Sequence, residues 1–122
     1  MTKRPCSKRD SEELQSIIKY CDDIGYFLKL HGSDEESLLD ISIQYDFMFP
    51  LIQIGEHVKR LSIEFREDHK ETDWKGIAGM RDIIVHRYAA VDVSVVRTAI
   101  LSDIPQLSDV CRSILNGLGT TR

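Results

Sequence analysis

The chain is 122 residues long, enough to bury one hydrophobic core but not two. Apolar residues make up 42% and charged residues 30%, a globular composition that excludes a disordered or membrane-embedded chain, and no apolar run approaches the roughly 18–20 residues that cross a bilayer. A net charge of −4 argues against a general nucleic-acid coat, though not against an enzyme that meets RNA at one local basic site.

Met1 to Asp10 is polar and basic, carrying Lys3, Arg4, Lys8 and Arg9. No apolar segment follows it, so it does not fit a secretory signal and the expected compartment is the cytosol. Residues 1–10 read as a basic, flexible arm that could touch phosphates, followed by a single helical domain over 11–118. Cys6, Cys21 and Cys111 are odd in number and widely spaced, with no CxxC or Cys/His ligand pattern. They imply neither a disulfide nor a metal, and Cys21 and Cys111 fall on apolar stripes as buried thiols. No cofactor is expected.

In the first helix Leu14, Ile17, Ile18, Cys21, Ile24, Gly25 and Leu28 recur every three or four residues. Asp10 or Ser11 can cap its start and His31-Gly32 can stop it. A second helical stretch opens at Ser33-Asp34-Glu35-Glu36 and runs to about Phe65. Its stripe is Leu38, Ile41, Tyr45, Met48, Ile52, Gly55, Val58, Leu61 and Phe65. Pro50 predicts a kink or short break there. Phe47 to Ile52 is apolar nearly all round, which points to burial on more than one side, including against a second subunit. Glu67 to Glu71 is a charged connector. Thr72 or Asp73 can cap a third helix from Trp74, and Asp92 a fourth. The fourth stripe is Val93, Val96, Ile100, Ile104, Leu107, Cys111, Ile114 and Leu118. Pro105 predicts a bend or split, and Gly117 and Gly119 an end. The whole reads as all-α, a four- to five-helix up-and-down bundle.

The third helix carries Gly79-Met80-Arg81-Asp82-Ile83-Ile84-Val85-His86-Arg87-Tyr88. Arg81 falls near the middle of an apolar arc. A guanidinium there must pair with a carboxylate such as Asp46 or Glu56, line a wet cleft, or meet an anion. His86 lies about 140° further round an ideal helix. It joins Arg81 only if the helix ends or loosens near it, or through a neighbouring subunit. Tyr88 falls back near the side of Arg81. Taken alone, His86 fits a helix cap or a surface residue, and Tyr88 an interface ring.

The spacing Arg81-x4-His86-x-Tyr88 resembles the signature of the HepT toxins within the HEPN superfamily. Ile54-Gly55-Glu56 with Val58-Lys59-Arg60-Leu61 is similar to that family's second-helix motif. Trp74, Ile77, Gly79-Met80, Val91-Asp92 and Asp103-Ile104-Pro105-Gln106-Leu107 are similar to the remainder in order and spacing. The resemblance covers roughly residues 11 to 115. Asp82 stands where the family often has Asn, His57 where a small residue is expected, and Pro50 is unusual.

The resemblance implies a homodimeric HEPN domain acting as a metal-independent endoribonuclease. Arg81 and His86 would be catalytic and Asp82 supporting, in a composite site at the dimer cleft. It further implies the toxin of a type VII toxin–antitoxin pair. Its partner would be an MntA-type nucleotidyltransferase antitoxin that places AMP on Tyr88. RNA brings its own 2′-hydroxyl nucleophile, histidine suits proton transfer near neutrality, and arginine suits a charged phosphate. The alternative is a non-catalytic subunit that presents nucleotide or substrate to a nucleotidyltransferase.

Overall fold

The computed structural model describes the backbone of residues 4–87 and 92–120, with all of their side chains except those of 85–87 and 118–120. Every regular element among the described residues is helical. These are α1 (Lys8–His31), α2 (Glu35–Leu38), α3 (Ile41–Lys59), α4 (Ile63–Asp68), α5 (Trp74–Arg87), α6 (Val93–Thr98) and α7 (Ile104–Thr120). A π-helical segment, Ala99–Asp103, joins α6 to α7. Four long rods result: α1, α3, α5 and the joined α6–α7. The rod α3 packs between α1 and α5, and α7 lies on the other flank of α1. This is the expected all-α bundle, with α2 and α4 as short connectors.

The core sits where the stripes meet. Leu14, Ile17, Cys21 and Ile24 from α1 face Phe47, Leu51, Ile54 and Val58 from α3. Ile100, Ile104, Leu107 and Cys111 close one side, and Trp74, Ala78 and Ile84 of α5 the other. Each such aliphatic or aromatic side chain contributes about 1.5–3 kcal/mol on burial. The Trp74 indole N–H donates to the His69 carbonyl at 2.8 Å, and its ring packs on Phe65, which anchors the start of α5. No helix is long and apolar enough to cross a membrane among the described residues.

Several sequence expectations are corrected. The first helix starts at Lys8, capped by the Ser7 hydroxyl, which accepts from the Asp10 N–H. Neither Asp10 nor Ser11 is the cap. Asp10 is instead buried and accepts from the N–H and hydroxyl of Ser62, at 2.8 and 2.6 Å. Arg4 is also fastened, its Nε donating to Asp68 at 2.9 Å. The second stretch is three helices rather than one, because Asp40 caps α3 and Ser62 caps α4. The restart at Asp40 changes the phase, so Ile41 and Tyr45 are exposed while Phe47, Pro50 and Leu51 are buried. Pro50 breaks nothing, and α3 runs through it.

Asp34, Asp73 and Asp92 cap the helices that follow them. Pro105 does not split the fourth rod. The Ile104 N–H bonds the carbonyl of Ala99, five residues back. That widened turn relieves the clash a proline ring makes with the preceding turn of an α-helix. The rod continues through Gly117 and Gly119 to Thr120.

Candidate active site

The site begins with a glycine. Gly55 lies on α3 directly against Arg81 of α5, and a Cβ there would fall far inside contact distance of the Arg81 Cβ. Only a hydrogen at this position lets the two helices approach so closely. Arg81 therefore leaves its backbone inside the α3–α5 seam, and its side chain is 26% exposed.

Its charge is met by carboxylates from both helices. Arg81 Nε approaches Glu56 Oε1 at 2.6 Å, an ion pair in which neither atom achieves hydrogen-bond geometry. Arg81 Nη1 donates to Asp82 Oδ1 at 3.0 Å, and Lys59 Nζ donates to the same oxygen at 2.9 Å. Glu56, Arg81, Asp82 and Lys59 thus form a ladder of alternating charge across the seam. Hydrogen bonds from Lys59, and secondly from Arg81, hold the Asp82 carboxyl below its ordinary pKa. Arg81 Nη2 has no hydrogen bond to another described residue.

Of the sequence candidates, Arg81 and Asp82 are brought together. The carboxylate expected for Arg81 is Glu56; the other candidate, Asp46, lies 2.7 Å from His31. His86 stands in the last turn of α5, whose backbone is helical through Arg87. Its Cα accordingly stays about 140° round from that of Arg81 by helical geometry, and its side chain lies outside the described residues. Tyr88 lies outside them altogether. His57, unexpected where it stands, is taken up by Glu13 at 2.6 Å and stacks on Tyr20. Lys59 was not singled out in the sequence, although its three-residue spacing from Glu56 puts both on one face of α3.

A half-buried arginine is thus held by two carboxylates at the α3–α5 seam, with His86 in the last turn of the same helix. The model of the HepT-like family, described as ribonuclease HepT-like, matches residues 12–114. The chain belongs to that family. A protein of Caldanaerobacter subterraneus subsp. tengcongensis, named as an RNase, is 34% identical over 114 residues, covering 93% of this chain and 95% of its own. A Methanocaldococcus jannaschii protein, also named as an RNase, is 33% identical over 112 residues, covering 91% and 92%. One from Thermococcus cleftensis, named as a HepT ribonuclease, is 37% identical over 73 residues, covering 60% and 66%. No solved structure matches the chain.

Proposed function

We propose that this protein is an endoribonuclease that cleaves RNA without a metal, using Arg81 and His86 from two copies of the chain that share one cleft. The observation that carries the reading is the seating of Arg81, fixed by Gly55, Glu56 and Asp82 at the start of the Arg-x4-His spacing. A positioned guanidinium suits a phosphate whose negative charge grows during in-line attack. The 2′-oxygen of RNA forms a bond to phosphorus while the bond from phosphorus to the 5′-oxygen breaks. The 2′-hydroxyl proton passes to a base, and the departing 5′-oxygen takes one from an acid. The products are a 2′,3′-cyclic phosphate and a 5′-hydroxyl. Each chain supplies one His86, so two copies supply the acid and the base. The continuity of α5 through His86 favours this arrangement over a site within one chain.

The same reading makes the protein the toxin of a toxin–antitoxin pair. A nucleotidyltransferase partner would use ATP to place AMP on Tyr88, the phenol oxygen bonding the α-phosphorus as pyrophosphate and the phenol proton depart, bringing a negative charge into a site suited to phosphate. Family membership and the tyrosine two residues after His86 support it.

The test is cleavage of single-stranded RNA in EDTA, followed by identification of the termini. A cyclic phosphate product that disappears in His86→Ala is the expected result. Cleavage by His86→Ala at the parent rate would end the assignment.

A further inference from the structure

We propose that the turn joining α3 to α4 begins an RNA track, in which Arg9, Arg60, Arg66 and Lys59 grip the phosphates next to the one held at Arg81. The inference rests on the ribonuclease reading for its substrate class, but its evidence lies in a different part of the molecule.

The last carbonyls of a helix have no intrahelical donor and carry the negative end of its dipole. At the end of α3 they have collected arginines. Arg66 Nη2 donates to the carbonyls of Lys59 and Leu61 at 2.7 and 3.2 Å. Arg9 Nη2, from the first turn of α1, donates to the carbonyl of Arg60 at 2.8 Å. Helix capping accounts for these bonds, but it uses one nitrogen of each guanidinium. Arg60 makes no side-chain bond among the described residues and is exposed.

Among the described residues, no carboxylate pairs with Arg9, Arg60 or Arg66. Arg4, Lys19, Lys59, Arg81 and Arg112 each sit on one. In a chain with 20 acidic residues to 16 lysines and arginines, three guanidiniums gathered at one turn with no carboxylate partner among the described residues are left able to meet phosphate. The turn is joined to the candidate site by a single atom, since Asp82 Oδ1 accepts from both Lys59 and Arg81. Guanidinium forks match phosphate oxygens in pairs, and a ribonuclease that holds only the scissile phosphate would have little grip on its strand. Arg9, part of the basic arm, thus contributes from a helix already docked against the turn.

The experiment measures binding separately from cleavage. A fluorescent single-stranded oligonucleotide with 2′-O-methyl groups keeps the phosphates but lacks the nucleophile, so anisotropy reports affinity alone. Arg60→Glu should weaken binding about tenfold and flatten the dependence of log affinity on log salt by about 0.7 for a lost phosphate contact. Its far-UV spectrum should match the parent's and its melting temperature fall only slightly, because Arg60 makes no side-chain bond among the described residues and loses only its favourable place at the negative end of α3. Arg9→Glu should act in the same direction. Lys29→Glu makes the same charge change twenty residues beyond Arg9 on α1, about 30 Å away, and should leave affinity unchanged. Parent-like binding by Arg60→Glu and Arg9→Glu would overturn the track, as would an equal loss in Lys29→Glu. If the track fails while unmodified RNA is still cut in a His86-dependent way, the ribonuclease reading stands alone. If RNA binds along the track and is never cut, the track stands and the ribonuclease reading falls.

Discussion

Gly55 has a measurable consequence, because the α3–α5 seam closes only over a hydrogen. Gly55→Ala must push Arg81 and its helix outward, at about 1–3 kcal/mol for an overpacked contact. The urea midpoint should fall, and cleavage with it, since the ladder loses its register. Gly79 lies on the same α5, yet a Cβ there meets nothing within 4 Å. Gly79→Ala should therefore hold or gain up to about 1 kcal/mol through helix propensity. Equal midpoints for the two variants would mean that the seam is not tight at Gly55.

Asp82 supplies a pH test. Its carboxyl is held low by Lys59 and then Arg81, so its ionised form favours the folded state. That contribution is present above the ordinary carboxylate range and is lost only as pH falls through the lowered value. The ladder is thus intact wherever a histidine titrates. The acid limb of the cleavage profile should belong to an imidazole and keep its position in Asp82→Asn, even where the overall rate drops. A limb that moves with this substitution would place Asp82 among the proton carriers.

At the scale of elements, Asp10 ties the first turn of α1 to the start of α4. Its two oxygens accept from the Ser62 N–H, the Ser62 hydroxyl and the Ser7 hydroxyl. Asp10→Ala leaves part-buried donors unmet and should cost about 1–3 kcal/mol in chemical denaturation. A change under about 0.5 kcal/mol, the range of an ordinary surface substitution, would show that water replaces the carboxylate there.

The packing of α1 on α7 has its own reporters. Burial pushes the Cys21 and Cys111 thiols up to about 12, where the reactive thiolate is scarce. Cys6 is only partly buried. A thiol reagent at neutral pH should modify Cys6 first, and the other two only on unfolding. Rapid modification of all three in the native protein would contradict this packing.

At the scale of the whole molecule, the composite site requires a second copy. Light scattering at micromolar concentration should give twice the chain mass of 14.0 kDa. Phe49 of α3 and Ile83 of α5 are at least half exposed in the single chain, and a second copy should cover them. A strict monomer would remove the two-histidine mechanism. Regulation is tested on the same assembly. Tyr88→Phe keeps the ring but removes the oxygen that would accept AMP. Co-expressed with a nucleotidyltransferase partner, it should escape neutralisation in a growth assay, and the parent's Tyr88 peptide should carry the adduct by mass spectrometry. Full neutralisation with Tyr88 unmodified would point to inhibition by complex formation.

Helical class, the buried stripe of α1, the buried thiols, the cap at Asp92 and a cap at Thr72 or Asp73 were legible from the chain. They depend on local spacing and on side chains that reach only their own backbone. The Arg81-x4-His86-x-Tyr88 motif was legible for the same reason, and with it the family. What spacing could not show was which partner each charge would find. Arg81 had two candidate carboxylates, and only the packing of α3 on α5 at Gly55 selected Glu56. Asp40 and Asp10 show the same limit. One restarts a helix in the middle of an apolar pattern, and the other serves a loop 52 residues away. Local propensity fixes how a segment coils, whereas the phase of its buried face and the pairing of its charges belong to whichever surfaces meet in three dimensions.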